Sequence, residues 1–232
     1  FFDIDVICDD KIQEPHMLPT TNSFSSKVGK LGLSNHDRII VYDNSGGFMA
    51  ACRVWWMFRV FGHTNVAVLN GGLPKWNAEN RPLSSEIIQP QKKVFSAIKN
   101  NDLVKDLSQI QENIAHKKFQ VIDARSSSRY LGIDDEPRPT TKKGHIPGSI
   151  NIPFQKMLKL DENFIFKPSN EIQAVFDECK LNLNKPIVAS CGSGVTAAVI
   201  ILALHLIAED RGSVYDGSWA EWSNHPDTIV EI

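Results

Sequence analysis

Cysteine is scarce in this 232-residue chain: Cys8, Cys52, Cys179 and Cys191 are the only four, and no two form a CxxC pair. That spacing excludes a zinc ligand set and a secreted disulfide framework. It fits a reducing, cytosol-like compartment, or a mitochondrion in a eukaryote, where a free thiolate can work. An excess of either charge is also missing. With a formal net charge of −2 and no Lys/Arg stripe, the chain offers nucleic acid no footprint. The longest apolar stretch, Gly194 to Ala208, is too short for a bilayer and carries His205, so no membrane partner is expected. No secretory leader pattern opens the chain. Its first residues, Phe1-Phe2-Asp3-Ile4-Asp5, read as the interior of a strand or loop, and the natural N-terminus is expected upstream. His36, His63, His116, His205 and His225 show no ligand spacing, so neither a metal nor another cofactor is expected.

What the chain does contain is the same plan written twice. Ile39-Ile40-Val41-Tyr42-Asp43 is an apolar run leading into Asn44-Ser45-Gly46-Gly47, a helical stretch with Trp55, Trp56, Phe58 and Phe61, then Val66-Ala67-Val68, Gly71 and Trp76. Later, Ile187-Val188-Ala189-Ser190-Cys191 leads into Gly192-Ser193-Gly194, an apolar helix, Ser213-Val214-Tyr215, Gly217 and Trp222. Gly71 and Gly217, and likewise Trp76 and Trp222, are separated by 146 positions, and Asp43 and Cys191 by 148. Short buried strands alternating with helices predict an α/β fold: two tandem domains, each a parallel-rich sheet flanked by helices. In the second half, Ser108 and Gln111 read as a capping box opening a helix toward Lys118. Phe119 to Ala124 reads as a strand, and Asn170 with Gln173 as another helix start. The polar run around Gln89 to Asp102 reads as the linker. The expected division is a first domain over 1–88, non-catalytic and lacking its N-terminal part, a linker over 89–104, and a catalytic domain over 105–232.

Cys191 stands where a β-branched strand ends and a Gly-rich turn feeds a helix expected to begin near Val195. The carboxyl end of a parallel strand is where α/β folds build their sites. Gly192 and Gly194 allow successive N–H groups to converge on one anion, and the helix dipole adds positive potential. Such a setting lowers a thiol from about 8.5 to ~3.5–7.5, giving a thiolate at neutral pH. The first half has Asp43 in the matching place, so one repeat carries a nucleophile and the other does not. Cys8, Cys52 and Cys179 read as small buried hydrophobes. The aromatic stripe of Trp55, Trp56 and Phe58 reads as a buried helix face. Trp219 and Trp222 read as packing residues, His145 as a backbone-bonding turn residue, and Asp123 with Arg125 as a structural ion pair.

The loop Cys191-Gly-Ser-Gly-Val-Thr-Ala197 resembles the active-site loop of the rhodanese superfamily, and its 3-mercaptopyruvate sulfurtransferases in particular. Further matches are Arg53-Val-Trp-Trp-Met-Phe-Arg-Val-Phe-Gly-His63, Asp123-Ala-Arg-Ser, Glu136-Pro-Arg138, Gly144-His-Ile-Pro-Gly148, Asn151-Ile-Pro-Phe154 and Tyr215-Asp-Gly-Ser-Trp-Ala-Glu-Trp222. The resemblance implies an inactive first domain and a catalytic second. It further implies a Cys191 persulfide, carried from a small-molecule sulfur donor to cyanide or a thiol such as a reduced small thiol or a thioredoxin-like protein. Substrate contacts fall on Arg129, Arg138, Gly192, Gly194, Val195 and Thr196, the two arginines holding a carboxylate. A Ser-His-Asp relay falls on Ser193, His16 and Asp5. A thiosulfate:cyanide sulfurtransferase and a non-catalytic rhodanese-like binding module are the alternatives. A Cys-x5-Arg phosphatase is excluded because Ala197 stands where the arginine would be, and a Gly-x-Ser-x-Gly hydrolase because Cys191 precedes Ser193 by two.

Overall fold

Thr20 starts the first regular element: its hydroxyl accepts the Ser23 amide at 3.2 Å, the usual satisfaction of an orphan helix donor. The structure, a computed structural model, describes residues 1–46 and 49–232, so Gly47 of the first Gly-rich loop lies outside the described residues. Helix α1 (Thr21–Lys30) buries Phe24 and Val28. Strand β1 (Ile39–Val41) pairs in parallel with β2 (Val66–Val68), with α2 (Ala50–Val60) as the crossover and α3 (Gly72–Ala78) following. Both strands are β-branched and short, which suits a half-covered parallel pair.

Helix α2 is mostly apolar and buried round nearly its whole circumference, with Cys52, Val54, Trp55, Trp56, Met57, Phe58 and Val60 all buried. A helix of that kind needs cover all round. One side lies on the first-half strands, the other on α7 (Ala197–Leu206) of the second half. The aromatic stripe is therefore core, as expected, and part of it is shared between the halves.

From Glu79 to Asn100 no helix or strand forms, yet the segment is anchored. Lys93 N donates to Gly29 O at 3.0 Å, Ile98 N to Phe61 O at 3.1 Å and Asn100 N to Val60 O at 2.7 Å. Phe95 is buried against Phe24, Phe58 and His63. After a 3-10 turn at Asn101–Leu103 the second half runs β3 (Val104–Lys105), α4 (Leu107–His116), β4 (Gln120–Asp123), α5 (Ser127–Tyr130) and β5 (Ile150–Asn151). A small antiparallel pair, β6 (Leu158–Lys159) and β7 (Ile165–Phe166), precedes α6 (Ser169–Glu178) and β8 (Ile187–Ser190). Helix α7, β9 (Gly212–Tyr215) and α8 (Ser218–Asn224) complete the fold.

The second sheet has five strands in the order β3-β9-β8-β4-β5, every pairing parallel. The expected architecture of two α/β units with parallel sheets is therefore present, the first sheet holding two strands among the described residues. Two boundaries differ from expectation. The capping box of α4 is Asp106 with Gln109, not Ser108 with Gln111. Asp106 accepts both Gln109 N and the Ser108 hydroxyl, and an aspartate caps at least as well as a serine. Helix α7 begins at Ala197, two residues later than expected, because the loop after Cys191 is extended by the turn at Gly194.

Candidate active site

Strand β8 lies in the middle of its sheet, between β9 and β4. Its next residue, Cys191, therefore emerges at the carboxyl edge with the chain fixed on both sides. The Cys191 amide donates to Ser218 Oγ at 3.2 Å and its carbonyl accepts Trp219 N at 2.9 Å, tying the residue to the start of α8. Cys191 is buried, at 2% exposure. The amides of Gly192, Ser193, Gly194, Val195 and Thr196 have no protein acceptor among the described residues. They remain available to an anion in the loop, with α7 behind them.

The two loop glycines are required for different reasons. Gly194 has φ +73°, and a Cβ there would meet Asp216 O at 2.8 Å. Gly192 needs no special backbone angle; a Cβ there would fall 2.8 Å from Arg129 Nη2. One terminal nitrogen of the arginine thus points at the loop backbone.

Arg129 and Arg138 both line a cavity of about 120 Å³ beside Cys191, with Glu136, Thr140, Gly192, Ser193, Val195 and Thr196. Glu136, on the connection after α5, holds Arg129 through both carboxylate oxygens and takes Arg125 Nη1 at 2.7 Å. Arg125 is buried, grips Asp123 at 2.6 Å and lies 4.3 Å over the Trp219 ring. Asp123 and Arg125 form the expected structural pair, and through Glu136 they fix the base on which Arg129 rests. Arg138 is bonded instead to the loop: its Nη1 donates to Ser193 Oγ at 3.4 Å.

The first half supplies the remaining groups. His16 Nδ1 lies 3.3 Å from Ser193 Oγ, and His16 Nε2 lies 2.8 Å from Asp5 Oδ1. A carboxylate only accepts, so Nε2 carries the proton toward Asp5 and Nδ1 accepts the serine hydroxyl. Burial lowers the His16 pKa below its ordinary value, the Arg138 charge adding to the effect and Asp5 opposing it. The lowering favours the neutral imidazole. Ser193, His16 and Asp5 thus form a continuous chain, with His16 at φ +63°, a left-handed conformation uncommon outside glycine.

The first repeat differs at the corresponding strand end. Asp43 Oδ1 accepts Ser45 N at 2.8 Å and Ser45 Oγ at 2.7 Å, and Oδ2 accepts Ala51 N at 3.0 Å at the start of α2.

Other residues fall where the sequence reading put them or close by. His145 bonds Tyr130 O at 2.9 Å and stacks on the Tyr130 ring. Trp219 and Trp222 are buried. Cys52 is buried, which pushes its thiol well up; Cys8 and Cys179 are only half-buried, a correction to the expected burial of all three. The sequence reading gave no role to Arg53, Asp216 or Glu136, which border the loop. A charged residue inside the apolar run of α2 was the signal available for Arg53. Among the described residues no cluster of His, Cys, Asp and Glu could hold a metal ion, and no helix is long and apolar enough to cross a membrane.

A parallel α/β repeat with a buried cysteine at the head of one glycine-rich loop, and an aspartate in the other, defines a duplicated cysteine-loop protein. The rhodanese-like domain family matches residues 9–79 and 106–225. Rat thiosulfate sulfurtransferase is 44% identical over 234 residues, covering 99% of this chain and 78% of the relative. Human 3-mercaptopyruvate sulfurtransferase is 43% identical over 223 residues, covering 96% and 74%. SseA of Escherichia coli, described as a 3-mercaptopyruvate sulfotransferase of rhodanese fold, superposes with a TM-score of 0.84 at 35% identity, covering 94% of this chain and 80% of its own. The chain belongs to the rhodanese family of sulfurtransferases.

Proposed function

We propose that this sulfurtransferase takes its sulfur from 3-mercaptopyruvate and carries it as a persulfide on Cys191. Relatives named for either donor lie at nearly the same identity, so the choice rests on the site. The observation that carries it is the Asp5-His16-Ser193 chain ending beside Arg138 at the cysteine loop. Thiosulfate leaves as sulfite and needs no proton delivered to carbon, whereas mercaptopyruvate leaves an enolate that does. The loop residues Gly192 and Ser193 add no cation for a dianion.

In the donor half-reaction the Cys191 thiolate attacks the sulfhydryl sulfur. An S–S bond forms, the C–S bond breaks, and its electron pair leaves on the methylene carbon as the enolate of pyruvate. Ser193 hands its hydroxyl proton to that carbon and takes the proton of the departing S–H. Neutral His16 accepts the serine hydrogen bond, and Asp5 fixes the tautomer. Arg129 and Arg138 hold the carboxylate, and the free amides from Gly192 to Thr196 hold the anionic persulfide. In the second half-reaction the outer sulfur passes to cyanide or to a thiol, such as a reduced small thiol or a thioredoxin-like protein. A reducing compartment, cytosolic or mitochondrial, supplies such acceptors.

The test is steady-state turnover with mercaptopyruvate and thiosulfate side by side, together with intact-mass analysis after donor addition. The proposal expects a one-sulfur adduct on the native chain, none on Cys191→Ser, and the higher kcat/KM with mercaptopyruvate. Loss of activity without any adduct on Cys191, or a preference for thiosulfate, overturns it.

A further inference from the structure

Arg53 is the one guanidinium of α2 with no exposure at all, and it lies behind the catalytic loop. Its Nη2 donates to Asp216 Oδ1 at 2.6 Å and to the carbonyl of His16 at 2.5 Å, and its Nη1 to the carbonyl of Gly194 at 3.3 Å. Its charge rests 4.3 Å above the Trp56 ring, whose Nε1 is fixed by Leu103 O at 3.0 Å. Asp216, at the end of β9, uses its second oxygen to accept the amide of Leu18 at 2.8 Å. One ion pair thus grips the backbone on both sides of Met17 in the first half and the residue after Ser193 in the second.

We infer that Arg53 and Asp216 are positioning residues that hold His16 and Ser193 within hydrogen-bonding reach of each other; this rests on the relay reading above. Three features point to this role over a simple interface weld. His16 has an unfavourable backbone angle, which persists only where surroundings over-determine it, and Arg53 holds the carbonyl of that very residue. The guanidinium fork serves both ends of one 3.3 Å contact, His16 O on one side and Gly194 O on the other. A Cβ at Gly194 would meet Asp216 O at 2.8 Å and Arg53 Nη1 at 3.0 Å, so the loop is seated directly on the pair. The halves also meet at Arg59, which reaches the exposed Asp210 at 3.1 Å and His205 at 3.4 Å, away from His16 and Ser193.

The experiment separates the two half-reactions. In Arg53→Met, pyruvate release in a saturating single turnover is expected to fall by about tenfold or more, since small misplacements near reacting groups are costly. The donor KM, and sulfur transfer from a preloaded Cys191 persulfide to cyanide, are expected to stay within about twofold. Combined with His16→Ala, the double variant is expected to be no slower than His16→Ala alone, because both remove one unit. Arg59→Met, which breaks the other charged contact between the halves, is expected to keep the native rate.

Equal losses in both half-reactions, additive losses in the double variant, or an equal loss in Arg59→Met would overturn the inference. Where Arg53→Met does not fold, Arg53→Lys and Asp216→Asn are read the same way: a loss confined to pyruvate release supports the inference, and native rates in both sink it. If His16→Ala releases pyruvate at the native rate, the relay reading falls and this inference with it. If His16→Ala is slow and the Arg53 and Asp216 variants are not, only this inference falls.

Discussion

Ser193 and His16 stand 177 positions apart in the chain and share a hydrogen bond of 3.3 Å between the two repeats. In the proposed relay His16 works only while its Nδ1 is unprotonated. Its pKa is lowered chiefly by burial and then by Arg138, so the acid limb of pyruvate release is expected below the ordinary histidine value of about 6.5. Asp5 opposes that lowering, so Asp5→Asn should drop the rate and move the acid limb to still lower pH. A single-turnover pH series on both proteins checks this; an acid limb that stays put in Asp5→Asn counts against the relay. Ser193→Ala is expected to lose about 10²–10⁴-fold in pyruvate release, the usual range for a positioned proton donor.

Gly192 and Arg129 compete for the same space. In Gly192→Ala the new methyl must displace Arg129 Nη2, which it would otherwise approach to 2.8 Å. The donor KM is expected to rise about tenfold with a smaller change in kcat, the signature of lost ground-state binding. Steady-state kinetics decide it, and an unchanged KM would remove Arg129 from the binding set.

Arg125 lies buried between Asp123 and Glu136 under the Trp219 ring. Truncating Arg125 leaves Asp123 charged without its ion-pair partner in a dry site, while Glu136 keeps only Arg129, at a cost of about 3–5 kcal/mol. Arg125→Met should therefore unfold at markedly lower urea concentration than the native chain. A shift equivalent to less than about 1 kcal/mol would mean that water reaches the cluster and screens it.

At the edge of the first half, Lys93 clasps Asp37 at 3.0 Å and the Lys93 amide bonds Gly29. The Lys93 hydrogen bond, with help from Ser34, holds the Asp37 carboxyl at about 2. A depressed carboxyl stabilises the fold above its unfolded value of about 3.9, and that contribution fades as pH falls toward about 2. Protection of the Lys93 amide, measured against its intrinsic exchange rate at each pH, should fall across that window, and Asp37→Asn should remove that fall while leaving protection low throughout.

The duplication and the placing of Cys191 at the head of a loop were legible because both are local in sequence. A strand, a Gly-rich turn and a helix recur at fixed spacing, and Cys191 against Asp43 is visible at the same position in each copy. The contacts of His16 with Ser193 and Asp5 were legible only through resemblance, since nothing local in Pro15-His16-Met17 marks a histidine that meets a serine from the other repeat. The register of the α4 cap slipped by two residues because Ser108 and Asp106 can both cap, and tertiary position decided between them. Arg53 carried no readable role, because an arginine in a mostly apolar helix says that it needs a partner but not which one. Its partners, Asp216 and the carbonyls of His16 and Gly194, come from sites far along the chain. Glu136 was read as one letter of a motif, and its hold on Arg129 became apparent only in three dimensions.

The carboxylate of Asp43 has one further consequence. In the first copy the negative charge at the head of the helix belongs to the chain itself and is already engaged by Ser45 and Ala51. A berth occupied by its own permanent resident has no room for a passenger. In the second copy sulfur stands at the matching place and the loop amides are uncommitted among the described residues, which under the proposed function suits a cargo that arrives and departs.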